Sequence, residues 1–317
     1  MKYIQRRTFI KNTGFALCSF PLLGLPSPLA GKRTGHSNGL EFYIFSKHLQ
    51  FLDWGAAAEV AANLGFHGLD LTVRPGGHVS PERVTEQLPM AMEAIRKAGS
   101  ACKLITTVVE KADKKIDHEL LGVAANEGIS YYRCNWFSYA GDMPMKQTLN
   151  TFRDQIAGLS KLNRQLGLVG CYQNHAGKLI GASLWEIDQL LGRADPETFG
   201  VQYDIRHAMV EGGLSWQNGL RLVKDRIKTL ALKDFKWEKR QGKWEVVNTP
   251  IGEGMVDFTG YFKLLKKYEI QVPATLFMEY ELGGAEHGAT QLQIDPEQVY
   301  AAMKKDLNTL KELWEHA

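Results

Sequence analysis

The sequence predicts a single-domain α/β fold, a closed (β/α)8 barrel, and three observations carry that expectation. Between Leu40 and Ala317, β-branched and aromatic runs alternate with helical patterns eight times. Strands that alternate with helices imply a parallel sheet, and eight such units imply closure. Several of the runs then end in polar side chains: Gln173-Asn174-His175, Asp204-Ile205-Arg206-His207, Lys233-Asp234 and Glu279-Tyr280-Glu281. A strand buried on both faces ends in charge only where the charge has partners or work, and polar groups at the carboxyl ends of strands are the pattern of a barrel site. Finally, the turn after the first run is Ser46-Lys47-His48-Leu49, not the glycine-rich phosphate turn of an open, doubly wound sheet.

The elements follow in order. Leu40–Phe45 reads as the first strand, and Trp54–Leu64 as a helix stopped by Gly65. Gly68–Val73 is the second strand. Ser80 is a predicted N-cap with Pro81 at the first helical position, and the helix runs to Lys97 with a disturbance at Pro89. Ala101–Val109, a helix around Asp117–Asn126, and Tyr131–Phe137 come next. Lys146–Leu166 is the longest helical pattern, ended by Gly167, and precedes the fifth strand, Leu168–His175. A capped helix over Ser183–Gly192, the sixth strand Phe199–Asp204, a helix over Trp216–Val223 and the seventh strand Ile227–Lys233 continue the rhythm. Phe235–Gly254 breaks it with a hairpin around Arg240-Gln241-Gly242-Lys243. Its Trp237 and Trp244 suit either a lid or a homo-oligomer contact. A helix over Phe258–Tyr268, the eighth strand Ala274–Leu282 and a helix over Pro296–Trp314 close the chain.

Composition sets bounds. The 317 residues are 44% hydrophobic and 23% charged, ample for a large core, and the net charge of +3 is small. No basic stripe with interleaved aromatics is present, which argues against a nucleic-acid partner. Cys18 lies in the leader, while Cys102, Cys134 and Cys171 fall in candidate strands with no Cys-x-x-Cys, so they read as core thiols. Residues 1–30 resemble a twin-arginine export signal: Arg6-Arg7 with Phe9-Ile10-Lys11 precede a short apolar run broken by Pro21 and Pro26. That run is too short for a stable membrane span. Residues 31–39 read as linker and 40–317 as the barrel, with a periplasmic or otherwise exported home.

Strand side chains alternate, and the polar parity must face the lumen because the outer face packs on helices. The predicted mouth therefore collects Gln173, His175, Asp204, Lys233, Glu279 and Glu281. The second strand adds Asp70, Thr72 and Arg74, followed by His78; the fourth adds Arg133 and Asn135, with Trp136 at the rim. Any one of these could be a structural ion-pair partner. Burying several carboxylates in one low-dielectric mouth for stability alone is unfavourable, so together they point to a site.

At these residues the chain resembles the xylose isomerase-like TIM-barrel superfamily of sugar phosphate isomerases and epimerases. The resemblance rests on Tyr172-Gln173-Asn174-His175, Asp204 through His207 with Gly213, Asp225-Arg226-Ile227, Leu232-Lys233-Asp234, Pro250 through Phe258, Glu279-Tyr280-Glu281, and Gly65 through Leu71. It implies one divalent metal (Mn, Mg or Zn) held by a Glu, an Asp, a His and a second Glu, and no organic cofactor. By position the Asp is Asp204 and the last Glu is Glu279, while the first Glu falls at Gln173 and the His at Ala231. An amide offers a neutral oxygen and alanine offers nothing. The implied chemistry is proton abstraction next to the carbonyl of an unphosphorylated, keto sugar or glycoside. Glu279 is then one acid/base, His175 the other and Lys233 the positive charge, with Asp204 in the catalytic set and, with Glu279, a ligand if a metal binds. Gln173, His207, Glu281, Arg74, His78, Asn135 and Trp136 would hold the carbohydrate. The alternative is a carbohydrate-binding barrel that has lost the metal site and does no chemistry.

Overall fold

The computed structural model describes residues 39–139 and 141–317. The expected leader, and the linker before Gly39, lie outside the described residues. Eight parallel strands close into a barrel: β1 (Phe42–Phe45), β2 (Gly68–Val73), β3 (Ala101–Thr107), β4 (Tyr131–Arg133), β5 (Val169–Gln173), β6 (Phe199–Asp204), β7 (Ile227–Leu232) and, after a hairpin, β10 (Ala274–Leu276). β1 pairs with β2 on one side and β10 on the other, which completes the ring. Around it run α1 (Trp54–Leu64), α2 (Val84–Lys97), α3 (Lys115–Asn126), α4 (Met145–Leu166), α5 (Leu184–Leu190), α6 (Ile205–Gly212), α7 (Trp216–Val223), α8 (Phe258–Lys267) and α9 (Pro296–Glu315). The main core lies between this ring and the outward faces of the strands, and among the described residues no helix is long and apolar enough to cross a membrane. Cys102, Cys134 and Cys171 are free and buried.

The strands stop sooner than the sequence suggests. β4 ends at Arg133, β5 at Gln173 and β10 at Leu276, although single backbone bonds such as Phe277 N–H to the Leu232 carbonyl extend the ladder a little. Pro89 sits inside a continuous α2, which forfeits one internal hydrogen bond rather than breaking. Ser80 does not cap: its hydroxyl turns to Glu82, and a 3-10 turn over Pro81–Arg83 precedes the helix. α6 is an element that strand periodicity conceals. Asp204 ends β6 and at once caps α6, accepting from the His207 N–H at 3.0 Å.

The hairpin joins β8 (Asp234–Arg240) to β9 (Lys243–Thr249) through a two-residue turn whose Gln241 and Gly242 both have positive φ, 48° and 82°. Asp234 ties its two ends together, accepting from the backbone N–H groups of Phe235, Gly252, Gly254 and Val256. A side chain at Gly254 would run into this carboxylate, 2.2 Å from the position its Cβ would take. Lys233, immediately before this anchor, is thereby fixed at the barrel mouth.

Candidate functional site

The carboxyl ends of β5, β6, β7 and β10 carry one bonded network. Asp204, with no exposed surface, is its hub: the Gln173 amide donates to Asp204 Oδ2 at 2.8 Å, and the Lys233 ammonium lies 3.2 Å from the same oxygen. Lys233 also donates to Glu279 Oε2 at 3.2 Å. The amide of Asn174, fully buried, clamps the Asp204 backbone from both sides, donating to its carbonyl at 3.0 Å and accepting from its N–H at 2.8 Å. Glu279 keeps 28% of its side chain exposed, so the carboxylate is reachable. Burial alone would raise its pKa, but the charges of Lys233 and Lys47 outweigh burial and bring it down to about 2.

Beside this network stand two histidines. His175 Nδ1 lies 3.0 Å from the Ala176 carbonyl oxygen; that oxygen only accepts, so Nδ1 carries the proton and Nε2 keeps its lone pair. Burial, and then the charge of Lys233, lowers its pKa and holds the ring neutral. The His207 ring lies 4.0 Å behind it and the Trp136 indole 4.8 Å away, edge-on. Trp136 is fixed by its own N–H to the Gln173 carbonyl, 3.2 Å. A third histidine, His48, secures the segment that carries Glu279. Its Nε2 accepts from the Met278 N–H at 2.9 Å and its Nδ1 donates to the Ala285 carbonyl at 3.2 Å. Full burial depresses its pKa to about 3, which keeps it in this neutral, two-sided role.

These groups open on one cavity of about 100 Å³, lined by Phe45, Lys47, Arg74, Arg133, Trp136, Gln173, His175, Lys233, Phe277 and Glu279. Seven residues expected at the mouth from the sequence are among them: Arg74, Arg133, Trp136, Gln173, His175, Lys233 and Glu279. Asp204 and His207 sit in the wall behind and do not line it. His207 Nδ1 accepts from Arg206 at 2.9 Å, and its Nε2 is 3.7 Å from Asp204, too long for a hydrogen bond.

Three expected residues are not brought in. Glu281 is exposed, because the chain turns at Tyr280, whose hydroxyl reaches outward to Asp306. His78 folds back beneath the rim, its N–H on the Thr72 hydroxyl at 2.9 Å. Asn135 donates to Glu110 at 2.8 Å instead of facing the lumen. Lys47 and Phe45 line the cavity without having been expected there, and Phe277, on the inward parity with Glu279, joins them. For Lys47 the available signal was its place, directly after the first strand, on the rim where barrel sites form.

The donor set does not fit a divalent cation. Asp204 Oδ2 takes the N–H of Gln173 and the ammonium of Lys233, and the same ammonium occupies Glu279 Oε2. Ala231, at the position of the family's histidine, offers no donor. Among the described residues no group of three or more His, Cys, Asp or Glu side chains is placed to hold a metal ion.

A model of the xylose isomerase-like TIM barrel matches residues 59–301. No curated protein matches the chain in sequence. Solved structures do match in shape. The 3-keto-D-glucoside 4-epimerase of E. coli is 13% identical with a TM-score of 0.64, over 86% of this chain and 100% of that one. A D-psicose 3-epimerase from Clostridium cellulolyticum H10, solved with D-tagatose, is 11% identical with a TM-score of 0.64, over 87% and 99%. The probable 3-DHS dehydratase AsbF of Bacillus anthracis is 14% identical with a TM-score of 0.62, over 85% and 99%. At these identities the likeness is one of fold. With its eight-stranded parallel ring closed and the family model spanning more than half its length, the chain belongs to the xylose isomerase-like TIM barrel family.

Proposed function

We propose that the chain is a sugar-modifying enzyme of the isomerase and epimerase kind, which moves a proton at the carbon next to a carbonyl of a keto sugar or glycoside. The observation that carries this reading is the meeting of Glu279, His175 and Lys233 on one cavity, with Lys233 3.2 Å from Glu279. The naming of structural neighbours as sugar epimerases and a dehydratase agrees with it.

The roles follow from charge and protonation. Abstraction breaks a C–H bond, and its electron pair moves into an enediolate whose oxygen needs a nearby positive charge. Lys233 supplies it. As the ammonium turns toward that oxygen it loosens its hold on Glu279, whose basicity then rises from the low value of the empty cavity. His175 Nε2, a lone pair on a neutral ring, is ready from the start. The two approach from different sides, since β10 and β5 are separated in the ring by β7 and β6. Return of the proton to the opposite face gives an epimer, return to the neighbouring carbon gives an isomer, and loss of a substituent from the next carbon gives elimination. No step is routed through a metal. Asp204 acts through Lys233 and Gln173 as a positioning residue. The twin-arginine-like leader supports export; the double substitution R6K/R7K should then retain the protein in the cytoplasm.

Proton NMR in D2O with D-psicose, D-fructose, D-tagatose and a 3-keto-D-glucoside tests this reading. Loss of the signal at the carbon next to the carbonyl is expected for at least one sugar, and Glu279→Gln should slow it about 10³-fold with the fold intact. The replaced metal ligands at Gln173 and Ala231 favour a second reading, a binding barrel without chemistry; calorimetric binding with no exchange would select it.

A further inference from the structure

The other half of the mouth is not used by that chemistry. Lys47, Arg74 and Arg133 come from the rims of β1, β2 and β4, and all three line the cavity. Among the described residues none of them makes an ion pair. Arg133 is 4% exposed; one of its terminal nitrogens reaches the Thr107 carbonyl at 3.5 Å and the other, Nη1, has no partner. A buried guanidinium with an unmet donor is unfavourable unless something else satisfies it. Aromatic rings hold the cations in place: Arg133 lies 4.0 Å from the Trp136 ring, Arg74 5.5 Å and Lys47 5.8 Å from that of Phe45. Lys233 already serves the developing oxyanion, so three more cations exceed what that step requires. The carboxylates nearby attract them from a distance, Glu279 acting on Lys47 and Asp70 on Arg74 and Arg133, but none closes an ion pair with them. Glu279 and Asp204 are bonded to Lys233, and Asp70, one layer down, is held by the Thr106 and Thr275 hydroxyls at 3.0 Å.

We propose that Lys47, Arg74 and Arg133 form a subsite for a carboxylate, so that the sugar this chain acts on is an acid such as a uronate or aldonate. Planar guanidinium forks match a carboxylate in pairs. Repulsion within the cluster agrees with a site that takes an anion: burial lowers Lys47, Glu279 opposes this, and Arg74 and Lys233 lower it further, while burial and then Arg74, against a smaller pull from Asp70, bring Arg133 down to about 10. A bound carboxylate would also offset the charge of Lys47 on Glu279, the proposed base. The sugar part of this inference rests on the proposed function; the charge part does not.

Calorimetry at low salt tests it without any turnover, using D-glucuronate, D-galacturonate and D-gluconate against D-glucose, D-galactose and D-glucitol. At least one acid should bind about tenfold or more tighter than its neutral counterpart, the scale of one charged hydrogen bond. Arg133→Gln should remove most of that difference while leaving the neutral sugar within twofold. Lys47→Gln, at the half-buried rim, does the same job should Arg133→Gln fold poorly. Equal binding of every acid and its neutral partner would overturn the subsite, as would acid binding unchanged by Lys47→Gln. Tighter binding of D-glucose 6-phosphate than of any carboxylate would overturn the assignment to a carboxylate. Acid binding without deuterium exchange would sink the enzyme reading alone; exchange on neutral sugars without acid preference would sink the subsite alone.

Discussion

The two halves of the barrel mouth are built on opposite electrostatic principles. On the side of β5, β6, β7 and β10, the charged groups of the network are bonded to one another: Gln173 and Lys233 on Asp204, Lys233 on Glu279, Asn174 on the Asp204 backbone. On the side of β1, β2 and β4, three cations face the same cavity against aromatic rings, with no ion pair among the described residues. The first half is a self-satisfied network that fixes its own geometry before any ligand arrives, as a catalytic constellation must. The second holds charge that no ion pair among the described residues closes, as the proposed subsite requires. One lysine therefore behaves unlike another two strands away.

Substitutions break or sharpen this contrast. The largest expected effect on stability is that of Lys233→Met, which leaves Asp204 and Glu279 facing each other without a cation. Removing one partner of a buried pair is worth about 3–5 kcal/mol, and the low end applies because Glu279 is partly exposed. Lys47→Met, by contrast, removes a half-buried charge with no ion-pair partner among the described residues, and the relief of its burial and of its repulsion from Arg74 and Lys233 offsets the lost attraction to Glu279, so the denaturation midpoint should move little. Equal losses from the two substitutions would erase the distinction between the halves.

Acid and base sensitivity separates the layers below. Burial raises the pKa of Asp70 to about 6 despite its two threonine partners. The folded state therefore binds this proton more tightly than the unfolded chain, and stability falls as pH rises from about 4 to 6. Asp70→Asn should stabilise the protein at pH 7.5 by about 2–3 kcal/mol, at roughly 1.4 kcal/mol per unit, and have little effect at pH 3.5. Glu279 has the opposite sign. Its lowered pKa contributes stability above about pH 4.5 that is lost as pH falls toward 2. Urea titrations of wild type and Asp70→Asn at both pH values resolve the two.

The barrel and half of its site were legible in the sequence for one reason: a period of two holds as long as the backbone stays in the ladder. Gln173, Lys233 and Arg74 lie within a residue of a paired strand, and each lines the cavity. Where the ladder had already ended, extrapolating the period failed. Glu281 is five residues beyond Leu276 and Asn135 two beyond Arg133, and both turn away. Glu279 is the exception, because His48 and Leu232 hold Met278 and Phe277 in near-strand geometry to bring it back. α6 was hidden because Asp204 serves as strand end and helix cap at once. On the cation side Arg74 and Arg133 follow from strand parity, whereas Lys47 escapes it because it stands in the 3-10 turn Ser46–Leu49, past the end of β1.

The central claim is that Lys233 does in this barrel the work a metal would do between Asp204 and Glu279. Deuterium exchange next to the carbonyl, measured on protein dialysed against a chelator, tests it most directly. The expected result is exchange at the untreated rate, unaltered by added Mn²⁺ or Zn²⁺ and lost in Lys233→Met; exchange that vanishes on chelation and returns with the metal would contradict it.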